Sequence, residues 1–184
     1  AGTAVVVANA ASFGGYCLQA NQGSGYVSLP VIDLTMEKWT IDLWVTLDAL
    51  PSTGYYSGIA DYGTTADGNG GFAFVARYDG ALRVHFDYYT GITAGSVSAG
   101  QRVHLFFMRN GARFYCGSNG NVGEDRLVVD TSFVGNKGFR IGRANMTYTD
   151  PKSVKVDEWR IIVNESNYPT SGTYSPPNFP FPDP

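Results

Sequence analysis

The first residues to test for chemistry are the four glutamates, Glu37, Glu124, Glu158 and Glu165, and the aspartates near them. Glycoside hydrolysis needs two carboxyl groups at a fixed separation, about 5 to 9.5 Å according to mechanism. On a strand that means alternate residues, which project from one face. No glutamate begins such an alternation, and Asp157 and Glu158 are adjacent, so an extended chain sends them to opposite faces. His85 and His104 sit in strand-like apolar runs with no Gly-x-Ser-x-Gly elbow and no matched acid. The Gly-rich stretch Asp67-Gly68-Asn69-Gly70-Gly71 lacks the lysine of a phosphate loop. Acids and bases do not assemble into a catalytic set, and the chain is expected not to be an enzyme.

Residues suited to holding a sugar are better supplied. A pyranose presents a CH-rich face to an aromatic ring and hydroxyls to Asn and Asp. Tyr55, Tyr56, Asp61, Tyr62, Asp67, Asn69, Tyr88 and Tyr89 cluster in the middle third, and Asn145, Tyr148 and Asp150 form a second group. The competing reading is that alternate tyrosines complete the sheets, although of the adjacent pair Tyr88-Tyr89 one must face out. Asp61, Asp67 and Asn69 together also suit either a hard cation or a tight solvated turn. Cys17 and Cys116, each flanked by aromatics, read as buried thiols or a disulfide, since no Cys-x-x-Cys or Cys/His cluster accompanies them.

The elements that must position these groups are strands. Apolar runs recur at short intervals between Gly-, Asn- and Asp-rich turns, and no window sustains a capped helical period. Strands are expected near 4–9, 16–20, 25–30, 38–48, 56–62, 71–78, 81–89, 101–109, 112–117, 126–131, 139–143 and 154–163. Within 38–47, Trp39, Ile41, Leu43, Val45 and Leu47 alternate with Lys38, Thr40, Asp42, Trp44 and Thr46, which gives one clean apolar face. Asp79-Gly80 and Asn110-Gly111 lie between strand-like runs and signal two hairpins. In 154–163, strict alternation puts Asp157, Trp159, Ile161 and Val163 on one face and Glu158 and Arg160 on the other. The fold class is therefore all-β, an antiparallel two-sheet β-sandwich.

At 184 residues the chain suits one domain, 1–184, with a core that needs no metal or disulfide. Charged residues make up 16% and aromatics 14%, a profile of a turn-rich β protein with a lightly charged surface. A net charge of -3 argues against a nucleic-acid footprint, and no apolar run approaches the roughly 18 residues of a membrane span. Ala1-Gly2-Thr3 has neither the basic nor the apolar region of a secretory signal, and a small first residue fits a trimmed initiator Met. The Pro-rich end, 168–184, carries Tyr168, Tyr174, Phe179 and Phe181 and is expected to pack on the body as a strap.

The order Val156-Asp157-Glu158-Trp159-Arg160-Ile161, then Tyr168, then Pro176-Pro177-Asn178-Phe179-Pro180-Phe181 resembles the C-terminal signature of concanavalin A-like, laminin-G-like lectin/glucanase domains found in bacteriophage tail-fibre and virion proteins. Upstream, Tyr26-Val27-Ser28-Leu29-Pro30, Trp39-Thr40-Ile41-Asp42-Leu43-Trp44, Val103-His104-Leu105 and Phe139-Arg140-Ile141-Gly142 resemble further strands of that family, in the same order. The resemblance implies a jelly roll, and the glucanase branch would carry Glu-x-Asp-x-x-Glu or Glu-x-Asp-x-Glu, which this chain lacks. It also implies, from several relatives of the fold, a structural calcium at Asp157 with carbonyls of the N-terminal segment; no other cofactor is expected.

Its functional implication is a non-catalytic virion protein on the phage particle surface, the carbohydrate-binding, receptor-recognition module of a tail fibre or tail tip. The alternative is a structural capsid decoration, or head fibre, protein making protein–protein contacts. Partners are correspondingly a host-surface glycan or other virion proteins, with further copies of the chain in a homo-oligomer, and neither nucleic acid nor membrane insertion.

Overall fold

The computed structural model describes residues 4–8, 16–20, 25–63, 71–86, 91–127, 136–144 and 149–178, and every regular element among them is a strand. In chain order these are β1 (Ala4–Ala8), β2 (Tyr16–Ala20), β3 (Val27–Asp33), β4 (Lys38–Leu47), β5 (Tyr56–Gly63), β6 (Gly71–Arg77) and β7 (Ala81–His85). They continue with β8 (Gly91–Ser96), β9 (Arg102–Asn110), β10 (Arg113–Ser118), β11 (Asn121–Leu127), β12 (Asn136–Ile141) and β13 (Val154–Val163). A seven-stranded sheet runs β1-β2-β13-β4-β9-β10-β11 and a six-stranded sheet β3-β12-β5-β6-β7-β8. Strand pairing within both sheets is antiparallel.

The apolar faces read from the sequence meet between the sheets. Trp39, Ile41, Leu43, Val45 and Leu47 of β4 are buried against Phe72, Phe74, Leu82, Val84 and Phe107 in one cluster. Trp39 stacks on Phe72 at 6.0 Å, meets Phe107 edge-on at 5.1 Å, and donates its indole N–H to the Leu34 carbonyl at 3.1 Å. An indole can be this deep because its one donor finds an acceptor. Both expected hairpins form, at Gly80 (φ 85°) and Gly111 (φ 61°), a conformation that glycine adopts without steric cost. Cys17 and Cys116 are both buried.

Several boundaries move. The strand expected at 81–89 ends at His85, β8 was not anticipated, and the strand expected at 126–131 is β11, at Asn121–Leu127. The polar run Asn121-Val122-Gly123-Glu124-Asp125-Arg126 carries little apolar signal because an edge strand is held by backbone pairing, here with β10. Edge β11 and its neighbour β10 also pack onto edge β8: the Thr93 N–H donates to Glu124 Oε2 of β11 at 2.7 Å, and the Ser118 hydroxyl of β10 donates to the Ala94 carbonyl at 3.2 Å. That flank of the sandwich is shut.

The alternation expected in β13 is also corrected. Asp157 pairs with Trp44 but Arg160 with Asp42, so β13 spends three steps where β4 spends two. The extra residue is a bulge in which Glu158 takes φ 52°. Asp157 therefore lies with Arg160 on the outer face, while Trp159 stays inward, edge-on to Phe139 at 5.4 Å and to Phe74 at 6.2 Å.

Candidate functional site

On the outer face of the six-stranded sheet, cross-strand partners line up as Arg140, Asp61, Ala73, His85 and Gly91. Asp61 and Tyr62 are neighbours on β5, so only one can point outward. Asp61 does, and Tyr62 points into the core. The Tyr62 ring packs on Phe139 at 4.7 Å and Phe72 at 5.1 Å, and its hydroxyl donates to the Ile32 carbonyl at 2.7 Å. Reading Tyr62 as an exposed sugar platform is thereby corrected. Asp61 is itself fully buried, and Arg140 holds it with two donors, Nε to Oδ1 at 2.8 Å and Nη2 to Oδ2 at 2.5 Å. A buried carboxylate requires such a partner, so Asp61 is structural in this geometry.

Tyr56 is half-buried with its ring edge-on to His85 at 4.9 Å, beside Ala73, Val75 and Ala144. Gly58 lets the chain leaving β12 lie directly on the sheet, since a Cβ there would come within 2.2 Å of the Ala144 nitrogen. Thr149 then bridges to Tyr56. Asp67, Asn69, Tyr88, Tyr89, Asn145 and Tyr148 lie outside the described residues.

Exposed aromatic surface gathers at one rim of this sheet. The Tyr78 N–H donates to the Tyr55 carbonyl at 3.2 Å, and the two side chains are exposed, Tyr55 42% and Tyr78 40%. Arg77 lies 5.5 Å from the centre of the Tyr78 ring and is paired with Asp79 through Nε to Oδ1 at 2.8 Å and a second contact from Nη2. Asp150 borders the same rim, accepting from the Ser52 N–H at 2.7 Å and from Lys152 at 2.9 Å. Hydrogen bonding from Ser52, then from Lys152, brings its pKa down to about 2. Tyr78 escapes sequence reading because it belongs to a turn; its marker is the Asp79-Gly80 pair that follows.

The outer face of the seven-stranded sheet is covered by the chain's own end. Tyr168 lies flat on Phe106 at 4.4 Å, and Tyr174 meets the same ring edge-on at 5.1 Å. The Tyr168 hydroxyl donates to Asp42 Oδ2 at 2.9 Å, and Arg160 grips that carboxylate from Nε at 3.2 Å and Nη2 at 2.6 Å. Because the Tyr168 proton goes to Asp42, its oxygen accepts from His104 Nε2 at 3.2 Å, which leaves Nδ1 to accept from the Tyr174 hydroxyl at 2.9 Å. Burial first, then the charges of Arg160 and Arg102, push the His104 pKa down to about 3, keeping the ring neutral. Burial foremost pushes the Asp42 pKa up, with Arg160 and Tyr168 opposing. Further along, the Val122 N–H donates to the Gly172 carbonyl and the Tyr174 N–H to Gly120.

Asp157 sits at the border of this face. Its carboxylate accepts from Arg102 at 2.7 Å, and Arg102 lies 4.2 Å above the Trp44 ring. Among the described residues no group of three His, Cys, Asp or Glu is placed to hold a metal ion. The sheet-face carboxylates Asp42, Asp61 and Asp157 each face an arginine.

Comparison with known proteins agrees with this architecture. The family model described as the concanavalin A-like lectin/glucanases superfamily matches residues 21–165. Among solved structures, the chain is similar to domain 4 of an extracellular arabinanase from Geobacillus stearothermophilus, solved with arabinotriose. The identity is 19% and the TM-score 0.68, over 95% of this chain and 78% of that one. It is similar to a carbohydrate esterase of the Shiga toxin-encoding bacteriophage phi24B at 17% identity and TM-score 0.63, over 89% and 88% of the two chains. A Trypanosoma rangeli sialidase matches at 18% identity and TM-score 0.63, but only 26% of that chain is covered, against 82% of this one. No curated protein sequence matches.

Proposed function

The chain belongs to the concanavalin A-like lectin/glucanases superfamily, and on that premise we propose that it is a non-catalytic carbohydrate-binding module of a bacteriophage tail fibre or tail tip, engaging a glycan on the host surface. The observation that carries the reading is the rim of Tyr55 and Tyr78, two neighbouring exposed rings bordered by the Arg77–Asp79 and Lys152–Asp150 pairs. Such rings offer flat apolar area to a pyranose, and the bordering charges offer donors and acceptors to its hydroxyls.

Its non-catalytic character is supported by the arginines. A glycosidase needs one carboxyl free to give up a proton and a second free to attack or to activate water. Asp42 and Asp61 instead spend both oxygens on guanidinium groups. The virion assignment is supported by the ending from Val156 to Phe181, which resembles that of phage domains of this family.

A glycan array probed with the wild-type protein and with a Tyr55→Ala/Tyr78→Ala variant tests the sugar site. Binding to a defined glycan class, weakened about tenfold or more in the folded variant, is the expected result; no binding to any surface polysaccharide would overturn it. Antibody labelling of intact particles should decorate tails, and labelling confined to heads would favour the capsid-decoration role.

A further inference from the structure

Resting on the reading of the Tyr55–Tyr78 rim as the sugar site, we propose that this rim takes an internal stretch of a neutral polysaccharide, two linked residues at a time, and discriminates against chains bearing carboxylates. The two rings stand together because of strand register. β5 pairs with β6 as Tyr56 with Arg77, so the next rung outward sets Tyr55 opposite Tyr78, and the 3.2 Å bond from the Tyr78 N–H to the Tyr55 carbonyl closes it. Directly opposed residues of an antiparallel pair hold their Cβ atoms about 4.5–5.5 Å apart on one face. The exposed rings are therefore neighbours. Beside them Ser52, Thr53 and Gly54 are exposed as well, and a Cβ added to Gly54 would meet nothing within 4 Å. An open strip lets a chain continue past both rings. One pyranose covers one ring, so a second sugar linked to it reaches the neighbouring ring at a high effective concentration that free monosaccharides lack.

Charge decides the class of chain. The ionic groups of the segments that build this end come in matched pairs: Arg77 with Asp79 at 2.8 Å, Lys152 with Asp150 at 2.9 Å and, where the loop to Tyr55 begins, Lys155 with Asp48 at 2.6 Å. Two of these carboxylates are also pinned by the backbone, Asp79 by the Ala81 N–H at 3.2 Å and Asp150 by the Ser52 N–H at 2.7 Å. Exposed pairs of this kind add little stability, yet each fixes an anion beside the cation that a sugar carboxylate would need. An acidic sugar reaching for Arg77 or Lys152 meets Asp79 or Asp150. The stretch Asn145-Met146-Thr147-Tyr148 adds no charge, and the net charge of -3 opposes a polyanion further. A neutral sugar needs only apolar area and hydroxyl partners, which the rim supplies.

The test is calorimetric titration of the full chain with neutral glucan, galactan and mannan oligosaccharides and with galacturonate and sialic acid chains of matched length. A neutral chain is expected to bind about tenfold or more tightly as a hexasaccharide than as a monosaccharide, with little change between low and high salt. Tyr55→Ala and Tyr78→Ala should each abolish the gain with length at an unchanged melting temperature, and the corresponding phenylalanine variants should keep it. Asp79→Asn retains an acceptor for the Ala81 N–H but leaves Arg77 without its counter-charge, and should raise affinity for acidic chains severalfold in a salt-dependent manner. Wild-type preference for acidic chains, equal affinity for monosaccharide and hexasaccharide, or an Asp79→Asn variant that gains nothing would overturn the proposal while leaving the rim a sugar site. Binding indifferent to both alanine variants, or no binding of any saccharide, would remove the rim as a sugar site as well.

Discussion

Tyr168 donates its hydroxyl proton to a carboxylate already held by Arg160, and the same oxygen accepts from His104. Removing it in Tyr168→Phe leaves one donor and one acceptor short inside a covered face, at an expected cost of about 1–2 kcal/mol, read as a lower urea midpoint. His104 sets the pH dependence of this network. Its folded pKa, about 3, lies below the ordinary 6.5, so between those values the unfolded chain binds the extra proton. Its contribution is complete above pH 6.5 and is lost as pH falls toward 3. The urea midpoint should therefore fall between pH 7 and pH 4, less steeply in His104→Gln; parallel profiles would assign the dependence to other groups.

At the scale of elements, the C-terminal strap and the chain leaving β12 each depend on close approach. Deleting residues 168–184 uncovers Phe106 and removes the rings of Tyr168 and Tyr174 from it. The truncated protein is expected to melt several degrees lower and to associate; unchanged melting would make the strap dispensable. Gly58→Ala drives a methyl into the Ala144 backbone and should cost about 1–3 kcal/mol by lifting that segment from the sheet. The core face of β4 is legible because five apolar side chains alternate without interruption. The inward turn of Tyr62 is not: alternation says that Asp61 or Tyr62 faces out, while the choice rests on Phe72 and Phe139, distant in sequence. The side taken by Asp157 is equally hidden, because its bulge is made by Glu158 at φ 52°, where glycine or asparagine would have marked it. The Tyr55–Tyr78 rim likewise arises from a contact between two loops.

Across the whole molecule, the sheet-face carboxylates Asp42, Asp61 and Asp157 are each answered by an arginine. At Asp157, Arg102 supplies the counter-charge that a cation would bring. Chelation by EDTA is accordingly expected to leave the melting temperature unchanged; a fall reversed by added calcium would assign a cation to this border. The place of β13 reaches beyond the finished fold. It stands between β2 and β4, pairing Val154 with both Ala20 and Leu47. During synthesis the hairpin of β1 and β2 leaves the ribosome well over a hundred residues ahead of the strand that joins it to the sheet. At roughly 5–20 residues per second, that wait is on the order of ten seconds, with an uncharged β-branched strand open to any neighbouring chain. Nascent chains arrested before Val154 should therefore be captured by chaperones or aggregate, and release of β13 should be the event that makes the polypeptide resistant to protease.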